Sequence, residues 1–402
     1  MLKGICSLLF VLFIFNYISI TMPTKKQKAI KKRVYLAILI IFIGLGIFFF
    51  LKISAYIKPL FELTFEKKIE LKKVEKQRIN MLLLGIGGGA HDGPMLTDTI
   101  MFASIDPVKL SVTLVSIPRD LWIEAVSDKV NKIYAFSEVK ERGSGLAEVK
   151  KTIGEVVGQK IDYGFRIDFS GFIKAVDLLG GIDVGIERSF DDYAYPLSGK
   201  ETDTCGKIDE EIASLSAQIA TGSATDFEIF PCRFEHLSFE KGKHHMDGQT
   251  ALKFVRSRHA LGPEGTDFAR SKRQEKVIKA VKDKVFSAGT ILNPVKLLGL
   301  YEIVKDSIDT DIKEEEVDDF IKLAQKMKTA EIRSVVLDVS DEVREAPSLL
   351  MNPPTSEEFA YQWVVIPKAG KNDYSEIHTY IMCVIKYNGC TSSPTSTSDN
   401  KD

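Results

Sequence analysis

Residues Val34 to Leu51, V-Y-L-A-I-L-I-I-F-I-G-L-G-I-F-F-F-L, run without a single charge. An uncharged apolar run of that length spans the hydrocarbon core of a bilayer as a helix. Immediately before it stands K-K-Q-K-A-I-K-K-R at Lys25 to Arg33. Basic residues beside a spanning helix stay on the cytoplasmic side, so the pattern predicts that everything after Lys52 lies outside the cytoplasm. A second apolar run, Gly4 to Ile20, reads three ways: a first spanning helix, a signal-like segment, or sequence upstream of a start at Met22. The orientation is the same in all three.

Composition divides the rest. Residues 1–24 form the apolar N-terminal segment, 25–56 the basic stub and transmembrane helix, and 57–79 a charged stalk. Residues 80–390 read as one extracytoplasmic domain with a C-terminal extension, and 391–402, rich in Ser and Thr, as a disordered tail. The chain has 54 basic and 55 acidic residues, a formal net charge of -1, which gives no electrostatic case for binding nucleic acid. Of five cysteines, Cys205 with Cys232 and Cys383 with Cys390 are candidate pairs outside the membrane. The polar stretch Leu197 to Glu240, around the first pair, reads as an insertion that either covers a site opening or forms a plain surface excursion.

Within that neutral domain, arginines concentrate: S-I-P-R-D at Ser116 to Asp120, F-V-R-S-R at Phe254 to Arg258, and T-D-F-A-R-S-K-R-Q at Thr266 to Gln274. Val277, Ile278, Val281 and Val285 make an apolar stripe at helical spacing, and Arg270, Arg273 and Gln274 continue it toward the helix start. Thr266 and Asp267 are capping residues, so this end also presents free backbone N-H groups and the positive helix pole. Asp247 and Gly248 open a short helix. The alternation of Phe254, Arg256 and Arg258 then predicts an extended segment with all three on one face. Buried cations need partners, either an ion-pair network with Asp120, Glu264 and Asp267 or a bound anion that arginine forks grip bidentately.

The acidic side is sparser. M-L-L-L-G at Met81 to Gly85 predicts a buried strand that runs into the glycine-rich G-I-G-G-G-A-H-D-G, which lacks the lysine of a nucleotide P-loop. Asp98, before the apolar I-M-F-A-S-I, is either a counter-ion for the arginines or a ligand for a hard cation such as magnesium. Further on, N-P-V-K-L-L-G-L-Y-E-I-V and V-D-D-F-I-K-L-A-Q-K-M predict helices, and E-I-R-S-V-V-L-D-V and Q-W-V-V-I-P predict strands.

Taken together, L-T-D-T-I, V-S-I-P-R-D-L-W, K-V-N-K-I-Y-A, D-F-S-G-F-I-K-A-V-D-L-L-G-G-I-D-V, M-D-G-Q-T-A-L-K-F-V-R-S-R and D-F-A-R-S-K-R-Q resemble the LytR-CpsA-Psr family, in the family's order across about residues 80 to 286. That family is also described as cell-envelope-related transcriptional attenuators. The resemblance implies an α/β fold, a central mainly β-sheet flanked by helices in an α/β/α sandwich, behind an N-terminal transmembrane helix. It implies a phosphotransferase anchored in the bacterial cytoplasmic membrane with its catalytic domain outside, acting in cell wall biogenesis. Such an enzyme moves an anionic glycopolymer from a polyprenyl pyrophosphate carrier to a peptidoglycan acceptor.

By motif, the resemblance implies that Arg119, Arg256, Arg258, Arg270 and Arg273 bind pyrophosphate with Gln274 assisting, and that Asp98 binds Mg2+. Asp98, Arg119 and Asp120 form the catalytic set; Asp98 and Asp120 are both candidates for the base, and Asp120 could instead orient Arg119. Lys129, Asn131 and Tyr134 either shape the site's edge or form a solvated turn. The resemblance also implies an apolar tunnel for the prenyl chain, for which Phe165, Phe169, Phe172, Val176 and Leu179 are candidates alongside an ordinary core role. Two positions depart from the family pattern. Leu96 stands where the family has an arginine, and glycines at 85 to 89 replace an aspartate, for which His91 or Asp92 are candidate substitutes. Two other functions use the same features: a polyprenyl pyrophosphate hydrolase with water as acceptor, and a non-enzymatic regulator of the envelope.

Overall fold

The eight residues Ile79–Ile86 form a strand, β1, that is apolar on both sides: Leu82 and Leu84 turn to one face, Met81 and Leu83 to the other. Such a strand is stable only at the centre of a sheet covered twice. The computed structural model, which describes residues 71, 78–89, 93–287, 290, 299–300, 302–303, 307–339, 348–387 and 390, places it there.

Six strands make the sheet: β1, β2 (Thr97–Asp106), β3 (Ser111–Ser116), β4 (Tyr163–Asp168), β5 (Ile308–Thr310) and β6 (Glu331–Val336), in the order β5-β4-β1-β2-β3-β6. β1, β2 and β3 pair antiparallel through short connections, whereas β4 joins β1 and β6 joins β3 in parallel. On the first face Leu82, Leu84, Ile100 and Phe102 pack against α1 (Ile133–Lys140), α2 (Gly145–Val157) and α6 (Ser375–Lys386), through Ile133, Ile153 and Ile381 among others. On the second face Met101, Ala103 and Leu114 meet Ile278 of α5 (Asp267–Val285). The three layers are the α/β sandwich expected from the sequence.

Beyond the second face lies a smaller apolar cluster. Val176 of α3 (Phe169–Leu179), Phe254 of α4 (Gly248–Arg256) and Val277 of α5 pack there against two antiparallel ribbons, Ile182–Ile186 with Gly242–Met246 and Phe190–Pro196 with Phe234–Phe239. Side chains cap all three helices: Asp168 accepts from Gly171 N at 2.7 Å, Asp247 from Thr250 N at 2.7 Å and Thr266 from Ala269 N at 3.2 Å. α3 and α4 approach so closely that a Cβ on Gly248 would stand 2.3 Å from the carbonyl oxygen of Ile173, so only glycine fits.

Several expectations are refined here. Phe254 and Arg256 are the last residues of a helix, not part of an extended segment, and Phe254 is buried in the small cluster. Segment 197–240 holds a helix, Asp209–Ala220, and ends in a strand that belongs to a ribbon of the domain. Disulfides join Cys205 to Cys232 and Cys383 to Cys390. Val317–Lys326 is helical and Glu331–Val336 a strand as expected, whereas Q-W-V-V-I-P contributes only Ile366–Pro367, paired with Leu350–Met351. Most of N-P-V-K-L-L-G-L-Y-E-I-V lies outside the described residues, as do His91, Asp92 and the run Val34 to Leu51. Among the described residues no helix is long and apolar enough to cross a membrane.

Candidate functional site

At the ends of β2 and β3, on the second face of the sheet, four arginines from separate segments converge. Arg119 follows β3, Arg256 ends α4, Arg258 lies two residues on, and Arg270 occupies the first turn of α5 with Gln274 one turn later. They line one cavity of about 260 Å³, together with Asp98 and Thr99 of β2. The helical period that puts Arg270, Gln274 and Ile278 on one stripe is the reason α5 contributes a cation, an amide and an apolar side chain in succession.

The charges do not cancel. Asp98 is the one carboxylate on the wall, and its Oδ1 accepts from Arg119 Nη1 at 2.6 Å. Arg270 has Asp267 at 2.8 Å. No ion pair among the described residues engages Arg256 or Arg258. Arg256 lies 4.2 Å above the Phe169 ring and donates to the Tyr195 hydroxyl at 3.3 Å. Burial, and next the guanidinium charges of Arg270 and Arg119, push Arg258 down to about 10. Burial also lowers Arg270, with the charge of Arg119 adding to it and Asp267 opposing it. Four half-buried guanidinium groups on a wall that carries a single carboxylate leave an excess of positive charge, which an added anion would offset.

Arg273 is held apart from this wall. It is 2% exposed and donates to the carbonyls of Phe254 at 3.0 Å and Ser257 at 2.7 Å and to Glu264, all on the far side of α5. Asp120 also lies off the wall. It accepts from Lys129 Nζ at 2.8 Å and forms an ion pair with Arg119 Nε at 3.5 Å. Lys129, Asn131 and Tyr134 are not a solvated turn: Asn131 is 6% exposed and its carbonyl accepts from Thr97, while Tyr134 donates to Asp309 at 2.8 Å.

A second cavity, about 210 Å³ and almost wholly apolar, adjoins the first, between the sheet and α3, α4 and α5. Leu83, Met101, Phe165, Phe172 and Ile278 line it, and it shares Thr99, Phe169, Val255, Arg256 and Gln274 with the arginine cavity. Of the proposed tunnel residues, Phe165, Phe169 and Phe172 reach this wall. Val176 and Leu179, each 1% exposed, belong to the packed core. Gly85 lines the apolar cavity too. Gly88, with φ of +67°, lies directly against Asp168, where a Cβ would come within 2.8 Å. Leu96 packs over Gly93 and brings no cation to the site.

Sequence reasoning missed Thr99, Tyr195, Pro196 and His259, all on the arginine cavity wall. Thr99 follows Asp98 within the same quoted motif and was within reach. Tyr195 and Pro196 come from a ribbon whose docking no local pattern encodes. For metal, Asp98 offers one oxygen beyond the Arg119 contact. Among the described residues the only cluster of three candidate ligands is Asp203, Cys205 and Cys232, two of which are joined in a disulfide.

Comparison with known proteins agrees with this architecture. The model of the LytR_cpsA_psr family matches residues 57–362. A polyisoprenyl-teichoic acid–peptidoglycan teichoic acid transferase, TagU of Enterococcus faecalis, is 27% identical over 315 residues, covering 76% of this chain and 84% of the relative. TagV of Bacillus subtilis, a transferase of the same description, is 24% identical over 245 residues, 61% of this chain and 52% of its own, so the match spans about half of that relative. The crystal structure of a Streptococcus agalactiae protein superposes with a TM-score of 0.50 at 18% identity, over 80% of this chain and 93% of that one, and shows the same fold.

Proposed function

The chain belongs to the LytR_cpsA_psr family, and on that premise we propose that it is a phosphotransferase that moves an anionic glycopolymer from a polyprenyl pyrophosphate carrier onto peptidoglycan. One observation carries this reading: a four-arginine cavity and an apolar cavity share a wall made by Thr99, Phe169, Val255, Arg256 and Gln274. Few ligands need both at once. A lipid with a pyrophosphate head does, since the head supplies the missing negative charge and each buried methylene of the chain adds about 0.8 kcal/mol.

The chemistry follows from the residues. Arg119, Arg256, Arg258 and Arg270 hold the pyrophosphate and disperse the charge that gathers on the leaving prenyl phosphate. The acceptor hydroxyl forms a bond to the glycan-bearing phosphorus as the bridging P–O bond to the prenyl phosphate breaks. Asp98, the carboxylate on the wall, takes the hydroxyl proton through the oxygen that Arg119 leaves free. Asp120 acts through Arg119.

Magnesium fits this donor set only in company with substrate. Four nearby cations repel a lone divalent ion, whereas bound phosphate oxygens complete a shell begun by one carboxylate. Asp98 would then give the ion its free oxygen in place of acting as the base, and the ion would add to the neutralisation of the pyrophosphate.

The reading includes anchorage in the bacterial cytoplasmic membrane with the domain outside. The basic cluster Lys25 to Arg33 before the apolar run Val34 to Leu51 supports it, and so do two disulfides, which persist in oxidising compartments. Native mass spectrometry of the full chain in detergent with polyprenyl pyrophosphate, with and without magnesium, tests the site. Retained lipid is the expected result, and magnesium should be retained only together with lipid. Failure to retain lipid under either condition would return the arginines to a structural role.

A further inference from the structure

Arg256 and Arg258 flank Ser257, and the backbone at Ser257 is gripped from two sides. On one side stands Asp192, a wholly buried carboxylate in the ribbon strand Phe190–Pro196. Its Oδ2 accepts from Ser257 Oγ at 2.6 Å, from Arg258 N at 3.1 Å and from His259 N at 3.2 Å, while Oδ1 accepts from Ala194 N at 3.0 Å. Among the described residues no lysine or arginine forms an ion pair with it. On the other side stands Arg273. Its Nη2 donates to the Ser257 carbonyl at 2.7 Å and its Nε to the Phe254 carbonyl at 3.0 Å, with the guanidinium 4.8 Å above the Phe190 ring. Opposite charges thus meet through the peptide groups between them: the carboxylate takes the N-H groups and the guanidinium takes the C=O groups.

The grip is tighter than a helix end requires, since a C-terminus is commonly closed by one glycine or by one nearby cation on its last carbonyls. Here two buried charges bear on residues 254–259, which carry two site arginines and His259. Arg258 is repelled by Arg270 and Arg119, so the chain that bears it must be fixed from behind before any anion arrives.

We propose that Asp192 and Arg273 are positioning residues that hold Arg256 and Arg258 converged on the anion cavity, an inference that rests on reading that cavity as the pyrophosphate site. Neither side chain lines the cavity wall, so both act through the Ser257 segment.

The test uses the full chain carrying Asp192→Asn, with Ser257→Ala as a second variant that removes only the hydroxyl arm. Three readouts are needed: exchange of the Arg258 and His259 amides, affinity for inorganic pyrophosphate, and affinity for an uncharged polyprenol. Asp192→Asn should speed exchange of both amides and weaken pyrophosphate binding by about tenfold or more, with polyprenol binding unchanged. Ser257→Ala should do the same to a smaller degree, and it decides the matter if Asp192→Asn does not fold. Unchanged amide exchange, unchanged pyrophosphate affinity, or an equal loss of polyprenol binding overturns the positioning role while leaving the cavity assignment standing. A wild-type chain that binds no pyrophosphate overturns the cavity reading itself, and the positioning role with it.

Discussion

Arg119 donates to Asp98 at 2.6 Å, and Asp98 is the one carboxylate on the wall of a cavity that three further arginines share. In the proposed reaction the pair divides the site's labour: Arg119 joins the cations that receive an anion, and Asp98 keeps one oxygen for a proton.

Replacing that oxygen's chemistry separates binding from turnover. Asp98→Asn removes the only negative charge on the wall, so pyrophosphate should bind at least as tightly as to the wild type. Glycopolymer transfer should fall by about 10²–10⁴, the range for loss of a general base. A single-turnover transfer assay beside magnesium-free calorimetric titration with pyrophosphate measures both. Weaker binding with intact transfer would remove Asp98 from the chemistry.

Arg256 and Arg258 have no carboxylate partner among the described residues, so their loss removes ligand contacts and not internal ion pairs. With about 1.5–3 kcal/mol for each charge-assisted hydrogen bond, Arg256→Ala with Arg258→Ala should weaken polyprenyl pyrophosphate binding by about 100-fold or more. The thermal midpoint should stay level or rise, because cation repulsion is relieved. Unchanged lipid affinity in this double variant would sink the assignment.

The lowered Arg258 gives a pH signature. Its folded-state value, about 10, lies below its unfolded one, so above about 10 the unfolded chain holds more protons. The strain of the buried charge is therefore complete below about 10 and is relieved as pH climbs past it, which makes this group's contribution to stability rise with pH. Anion binding runs the other way. Affinity for pyrophosphate should fall by about tenfold per pH unit above about 10, because each binding event then requires uptake of one proton. Titration calorimetry from pH 8 to 11 on the order of half-unit steps resolves this limb, and a flat profile would mean that Arg258 keeps its proton through that range or is not a contact.

Ile278 faces the apolar cavity from α5, one turn beyond Gln274. Ile278→Trp fills that space, and overpacking of this kind costs about 1–3 kcal/mol where the wall resists. Polyprenyl pyrophosphate should bind about tenfold more weakly or worse, and inorganic pyrophosphate should bind as before. Equal loss of both would mean that the two cavities are not separate parts of one site.

Local pattern made much of this legible. The buried character of Met81 to Gly85 placed the central strand, and the stripe of Val277, Ile278, Val281 and Val285, continued by Arg270, Arg273 and Gln274, put α5 on the sheet although Arg273 does not reach the cavity, because both rest on a period read from a single element. The failures came where two periods compete or where tertiary docking decides. Phe254, Arg256 and Arg258 alternate as in a strand, yet Ala251, Leu252, Phe254 and Val255 also fit a helix that Asp247 caps, and the cap won. Arg273 is one residue from Gln274, but one residue is 100° on a helix, enough to move it from the cavity to the backbone behind Ser257. Tyr195 and Pro196 reach the wall through a ribbon paired across a disulfide-bridged segment, a placement that no window of sequence contains.

The wall shared by the two cavities sets how the site tells its ligand from fragments of it. On the proposed reading, free pyrophosphate meets only the arginines, and a free isoprenoid alcohol meets only the apolar lining. A molecule that carries both loses its translational freedom once and collects both sets of contacts, so its affinity exceeds either fragment's by a multiplicative factor. Such fragments would then compete only weakly, with no group devoted to rejecting them.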